Sequence, residues 1–374
     1  MQTEIGWQVD TAVECGNVAA VRVVAGANPE VRFSPAPRGV SPLWFSFRIK
    51  AQPGAEHDAA SGKLRLVLEH YDTLAGAETP HECCPVFRPA GQWWMHLPAA
   101  RPEQTQDGRM DATWTLNCAV EYMDVALGFP YTDQDLHQFV DKSRAAWQLD
   151  CIGVSAGGRE LLRLSNAYAA GGKFTGGLYL LARQRGCDMP AAWVLDGMLQ
   201  RLASAKNNPF MIWAVPLADP DAVQAGAWFS APDMTGDWGL IQHHEVALLL
   251  RDLARWRAAC RPALVINLQA APLRERAGIY CELPDAKIQP EMQAQALKWA
   301  HVMQHKLGAE FAADPFVRED TMSNGRLPMA MAAEGICAMT LHVPWAAAGT
   351  TIFSQKKYRE VGRRLADALI EKRH

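Results

Sequence analysis

Nowhere in the 374 residues is there a run of about 18 apolar residues, the length a membrane-spanning helix needs, so no membrane association is expected. No basic block or stripe occurs either. Lys plus Arg number 37 against 40 Asp plus Glu, a net charge of −3, and nucleic acid is therefore not an expected partner. The opening MQTEIGWQVD has no basic segment followed by an apolar one and no lipidation motif, which leaves a cytoplasmic location as the expectation. Nine cysteines, an odd number spread over a long chain, fit reduced thiols better than a secreted disulfide framework. Cys83 and Cys84 adjoin His81, but no second CxxC or histidine pair nearby completes four ligands. No G-x-G-x-x-G opens a helix, and Gly172-Lys173 is followed by Phe174 instead of the Ser or Thr of a phosphate loop, so nucleotide cofactors are not indicated. There is no internal repeat and no low-complexity tract.

What is present is ordinary globular chemistry: 49% hydrophobic and 21% charged residues, in a chain long enough for two domains. The first third reads as β-structure. Residues 21–24, 44–49 (WFSFRI), 63–68 (KLRLVL), 93–97 and 112–116 alternate apolar with polar, separated by Gly, Pro and Asn. The Gly, Pro and Asp of residues 126–134 (ALGFPYTDQ) mark a junction, giving expected domains at 1–125 and 126–374. Beyond it strands alternate with helical patterns, which predicts a mixed, mostly parallel sheet covered by helices. Strands are expected at 178–181, 211–215, 264–268 and 338–343. Helices are expected from about Met189, over 243–256, around 292–307, and at the end, where Tyr358, Val361, Leu365 and Leu369 form a stripe.

Several motifs look like chemistry and fall short. Gly153, Ser155 and Gly157 match the G-x-S-x-G elbow of serine hydrolases, but the residues after it (LLRL, 161–164) alternate like a strand where the elbow needs a helix. Ser155 is expected in a solvent-facing turn. His244-Glu245 begins an H-E-x-x-H zinc helix, yet Leu248 stands where the second His belongs. His301 and His305 share a helical face without the glutamate that zinc peptidases carry between them, since Val302 is there, and read as a surface or half-buried pair.

From the junction onward the order of phrases resembles the zinc metallocarboxypeptidases, and among them the cytosolic carboxypeptidase branch related to tubulin deglutamylases. The phrases are FPYTDQDL (129–136), IGVSAGGR (152–159), ARQRGCD with AWVLDGML (182–188 and 192–199), VPLADPDAV (215–223) and YREVGRRLADAL (358–369). The resemblance implies an α/β fold, an N-terminal antiparallel β-sandwich followed by a carboxypeptidase-like mixed-sheet α/β/α domain. It also implies where the family's chemistry would sit, and there the chain departs. Such an enzyme holds zinc with His and Glu of an H-P-G-E loop and a His from a later strand. Arg185 stands at the first His, Asp188 at the Glu, and VINLQ (265–269) puts Asn267 at the second His, with Gln269 two residues on. A guanidinium cannot ligate zinc, and an amide is a poor substitute for imidazole. The family's catalytic glutamate aligns with His342 in MTLHVP (339–344). The Asn-Arg and Arg groups that grip a substrate carboxylate are missing from residues 226–229 and 236–240.

Ligands, base and clamp failing together imply a pseudo-carboxypeptidase: no zinc, and a binding or assembly module with a protein partner, an active carboxypeptidase relative among the candidates. Arg185 would supply a fixed positive charge in place of the metal's, with Asp188 either its partner or the cap of the helix at Met189. Arg185, Asp188, Asn267, Gln269 and His342 would line the former zinc pocket. The alternatives are a hydrolase of altered chemistry, with His342 as base, Arg185 as electrophile and Cys187 as a nucleophile, and a divergent zinc enzyme using Asp188 with His342. Thirteen tryptophans mildly favour a protein partner, although most are expected in the core.

Overall fold

The computed structural model describes residues 6–25, 29–36, 43–51, 63–74, 84–117, 121–166, 174–206, 208–228, 233–318 and 326–371. Two compact units result: residues 1–130 with 224–229, and residues 131–223 with 230–374. Among the described residues the first unit contains ten strands: β1 (Trp7–Asp10), β2 (Arg22–Val24), β3 (Glu30–Phe33), β4 (Ser46–Ala51), β5 (Lys63–Leu68), β6 (Val86–Pro89), β7 (Met95–His96), β8 (Arg101–Gln104), β9 (Met110–Asn117) and β10 (Tyr122–Ala126). They form two five-stranded sheets, in the orders β1-β4-β10-β6-β7 and β2-β3-β5-β9-β8. Alternation decides their faces. In β4, Phe47 and Ile49 are fully buried, while Arg48 turns outward to pair with Asp124 at 2.6 Å. Phe33 of the second sheet meets Phe47 of the first and Phe45 just before it at ring centroids of 4.8 and 5.0 Å, which closes the sandwich. Two details depart from the expectation. The β3–β5 pair is parallel, and the strand expected at 93–97 contracts to β7 because Trp93 and Trp94 fall before it, Trp93 being 85% exposed.

The second unit is built on an eight-stranded sheet in the order β11-β12-β14-β13-β15-β18-β16-β17. The strands are β11 (Gln148–Val154), β12 (Glu160–Ser165), β13 (Gly176–Ala182), β14 (Phe210–Val215), β15 (Pro262–Ala270), β16 (Ile279–Glu282), β17 (Ala312–Val317) and β18 (Ala338–Val343). The helices are α1 (Asp133–Ser143), α2 (Met189–Ala203), α3 (Pro220–Ala225), α4 (His244–Ala259), α5 (Pro290–Phe311), α6 (Leu327–Ala333) and α7 (Gln355–Glu371). The central strands β14, β13, β15 and β18 run parallel, and β13 is buried at every residue, as a strand covered on both faces must be. β16 joins β18 antiparallel. Helices α4 and α6 lay Val246, Leu249, Leu253, Trp256, Leu327 and Met331 on one face of the sheet, against Tyr179, Leu181, Val265 and Ala338. Helices α2 and α5 pack on the sheet as well, and α7 packs on both of them. The α2–α7 approach is possible because both helices offer glycine: a Cβ on Gly197 would lie 2.2 Å from the Arg359 carbonyl oxygen, and one on Gly362 2.0 Å from that of Val194.

The alternation that builds the α4/α6 face also builds the polar end of the sheet. On β15 the residues of that parity run Val265, Asn267, Gln269, and on β18 Ala338, Thr340, His342. Both series turn from apolar to polar toward the carboxyl ends of parallel strands, the place where open α/β sheets bind ligands.

Candidate functional site

Two polar rows cross the sheet at this end. Asn267, Thr340 and Glu282 are register partners on β15, β18 and β16, and so are Gln269, His342 and Tyr280. In the first row Asn267 Nδ2 donates to Thr340 Oγ1 at 3.3 Å, while Asn267 Oδ1 accepts from Gln184 Nε2 at 2.5 Å. Gln184 Oε1 in turn accepts the indole N–H of buried Trp238 at 2.8 Å. Asn267 is thus fully engaged in a buried network reaching the loop before α4.

The loop from β13 to α2 supplies the charges. Arg183 adopts left-handed backbone (φ 55°), and its guanidinium donates to the carbonyls of Tyr131 and Gly186 at 2.6 and 2.8 Å, tying the loop down. Arg185 and Asp188 then form a forked ion pair. The fully buried Asp188 carboxylate accepts from Arg185 Nε at 3.1 Å and Nη2 at 2.7 Å, from the Arg185 backbone N–H at 3.0 Å and from the Ala270 N–H at 2.8 Å. Arg185 Nη2 also donates to the Ala270 carbonyl at 2.8 Å. Burial works against the guanidinium charge, but contact with Asp188 outweighs it and holds Arg185 firmly protonated. Asp188 precedes α2, yet its side chain makes no capping bond, so of the two roles open to it the structure has the ion pair. Because the pair is bonded to Ala270, its neighbour on β15 is Gln269, and Asn267 lies two residues deeper.

The second row is less well satisfied. His342 stacks on Tyr280 with centroids 4.6 Å apart and planes 8° apart, and Arg318 covers the Tyr280 ring, its Cζ 3.8 Å from the centroid. Burial, with the Glu282 charge adding to it, pushes the Tyr280 hydroxyl up to about 12. His342 Nε2 lies 3.1 Å from Glu282 Oε2, close enough for the ring to hold the carboxylate ionised. Burial alone would raise the Glu282 carboxyl. The His342 ring, and then Arg326 and Arg185, more than offset that and hold it below the usual range. His342 Nδ1 and Gln269 Oε1 are buried without a hydrogen-bond partner.

The other expected features resolve into structure. Ser155 is not solvent-facing: it is 5% exposed and donates to Asp221 Oδ1 at 2.8 Å, in a turn whose Gly157 N–H and Arg159 guanidinium bind the same carboxylate. β12 follows it where an elbow would need a helix. His244 Nε2 contacts the Val154 carbonyl at 2.9 Å, and His301 and His305 are exposed on α5. Cys187 is buried, which pushes its thiol well above the ordinary range and away from the thiolate a nucleophile requires. His81, Cys83, Gly172 and Lys173 lie outside the described residues. Sequence reasoning did not reach Gln184, Trp238, Tyr280, Glu282 or Arg318. The available signal was the alternation in IYCE, which puts Tyr280 and Glu282 on one face of a buried strand.

Among the described residues no three His, Cys, Asp or Glu side chains stand together as a metal would require. The residues aligned with the zinc positions do not fit the ion: a protonated guanidinium occupies the first, and the carboxylate at the second is already taken up by that guanidinium, by two backbone N–H groups and by the Cys187 thiol.

With a sandwich unit and this mixed, helix-covered sheet, the architecture is that of the metallo-carboxypeptidases. A metallo-carboxypeptidase from Burkholderia cenocepacia superimposes with a TM-score of 0.75 over 97% of this chain and 98% of its own, at 15% identity. One from Pseudomonas aeruginosa, solved in complex with (2-guanidinoethylmercapto)succinic acid, gives the same TM-score, coverage and identity. At that identity the likeness is one of fold. No protein-family model and no curated protein matches the chain. No helix among the described residues is long and apolar enough to cross a membrane.

Proposed function

We propose that this carboxypeptidase-like protein binds at the carboxyl end of its sheet and does not carry out zinc hydrolysis there, serving as a binding or assembly module in the cytoplasm with a protein partner. The observation behind this reading is the Arg185–Asp188 ion pair. It spends the two side chains best placed for metal or substrate chemistry on each other and on the Ala270 backbone. The same contacts argue against an altered hydrolase, since Arg185 Nε and Nη2 are engaged and Cys187 is a buried thiol. An active carboxypeptidase relative remains one form the partner could take.

The test is metal content by elemental mass spectrometry after exposure to stoichiometric zinc and exhaustive exchange, with release of C-terminal glutamate from peptides followed on the same sample. Near-zero zinc and no release are expected. One retained equivalent of zinc per chain, or hydrolysis above a buffer blank, would sink the reading.

A further inference from the structure

Gln269 and His342 are register partners on adjacent parallel strands, so their side chains leave the sheet side by side on one face. Gln269 is 1% exposed and His342 6%, and neither Gln269 Oε1 nor His342 Nδ1 has a hydrogen-bond partner. Buried polar atoms are rarely left so, and here two neighbours are. The imidazole is not free to turn toward a partner elsewhere, because its face is held against Tyr280 and that ring lies under Arg318. Glu282 Oε2, 3.1 Å from Nε2, favours the tautomer with its proton on Nε2. Nδ1 then presents a lone pair. The unfilled valences are thus two acceptors, Gln269 Oε1 and His342 Nδ1, and the missing partner is a donor with two N–H bonds.

The surrounding charge narrows the class. A carboxylate would meet these lone pairs with lone pairs of its own, and the guanidinium of Arg185 is already bonded to Asp188 and Ala270. An ammonium would bring a charge and a third N–H donor to a place where two acceptors are open and the nearby carboxylate of Glu282 is already paired with His342. An uncharged nitrogen bearing two hydrogens meets neither objection. We propose that Gln269 and His342 together bind the NH2 group of a primary carboxamide, as an asparagine or glutamine side chain or an amidated chain end would supply it. The proposal rests on the binding reading above and adds the ligand's class.

The test uses the full chain, labelled with 15N-histidine and with the His342 resonances assigned through His342→Gln. N-acetyl-Ala-Ala-amide, N-acetyl-Ala-Ala acid and n-butylamine are the probes. The carboxamide is expected to shift the His342 ring nitrogens saturably, with the acid and the amine at least tenfold weaker, and Gln269→Leu should weaken the carboxamide at least tenfold. Gln269→Glu keeps an acceptor and adds a charge, so it should transfer the preference to the amine, which provides a readout should the leucine variant not fold. Equal or better binding of the acid or the amine by the unaltered protein overturns the proposal. So does the absence of any shift, which would leave the two side chains to ordered water. Zinc content of the same samples separates the failures: a metal-free protein that ignores the carboxamide overturns the ligand class alone, whereas retained zinc overturns the binding reading as well.

Discussion

Replacing Arg185 by alanine should be among the costliest single changes in the second unit, although Arg185 lies outside the apolar core. Its partner Asp188 has no exposed side-chain surface and takes two of its donors, Nε and Nη2, from the guanidinium, the others being the backbone N–H groups of Arg185 and Ala270 and the Cys187 thiol. Arg185→Ala removes those two and leaves the backbone N–H groups and the thiol to satisfy a buried carboxylate. Charged hydrogen bonds contribute about 1.5–3 kcal/mol each, and breaking a buried pair by removing one partner costs about 3–5 kcal/mol. A loss of about 3–5 kcal/mol is therefore expected. Asp188→Ala should cost a similar amount by stranding the guanidinium. The double substitution Arg185→Leu/Asp188→Leu should recover most of the loss, because well-packed apolar pairs replace buried ion pairs at little cost. Urea unfolding followed by tryptophan emission measures all three variants, with buried Trp193, Trp238 and Trp256 reporting on the second unit. A single-variant cost below about 1 kcal/mol, or single losses that merely add in the double variant, would refute the idea that the pair is a buried, mutually dependent unit.

Two further predictions concern the neighbouring contacts. The Glu282 carboxyl is held below its usual range, so its contribution to stability is present above about pH 4.3, its unfolded value, and is lost as pH falls through the lower folded value. In His342→Ala burial dominates instead and the folded value rises above the unfolded one, so stability should decline as pH climbs through it. Unfolding midpoints measured from pH 3 to 8 should show the variant's deficit growing toward neutrality, and parallel profiles would contradict the pairing. Gly362→Ala should destabilise by about 3 kcal/mol despite a helix-propensity gain of about 1, because the new Cβ meets the Val194 carbonyl oxygen at 2.0 Å and the Met198 nitrogen at 2.6 Å, both backbone. A neutral or stabilising result by thermal unfolding would mean that α2 and α7 can move apart freely.

The features readable from sequence were those carried by local periodicity. Alternation in KLRLVL and the stripe Tyr358, Val361, Leu365 and Leu369 correspond to β5 and to the buried side of α7. Polar residues at alternate positions of otherwise apolar strands, Asn267 with Gln269 and Thr340 with His342, mark the site for the same reason. Register between distant strands has no such local trace. Nothing within VINLQ says whether Asn267 or Gln269 lies beside the ion pair; the Ala270 backbone contacts with a loop some 80 residues earlier decide it. The antiparallel pairing that brings Tyr280 onto His342, and the indole of Trp238 that fixes Gln184, are likewise tertiary events. Most tryptophans behave as the core residues they were expected to be, eight of the thirteen lying buried, which removes much of their value as a sign of a docking surface.

Under the function proposed above, the Arg185–Asp188 pair stands where a carboxypeptidase would hold zinc, and the polarity of the site changes with it. A zinc ion held by two neutral imidazoles and one carboxylate brings a net charge of about +1 and acts as a Lewis acid, so it draws a carbonyl oxygen by its lone pair. Arg185 and Asp188 sum to zero, and the guanidinium donors at Nε and Nη2 are consumed by Asp188 and the Ala270 carbonyl. On the proposed reading, what would face a ligand on the neighbouring strands is not an electrophile but the lone pairs of Gln269 and His342. Exchanging a metal for an internal ion pair would then do more than silence hydrolysis: it would reverse the hydrogen-bonding sense of the site, from one that seeks an acceptor to one that seeks a donor. On this argument a ligand search built from carboxypeptidase substrates, which present a carboxylate, starts with the wrong functional group, and an amide-capped series is the better first choice.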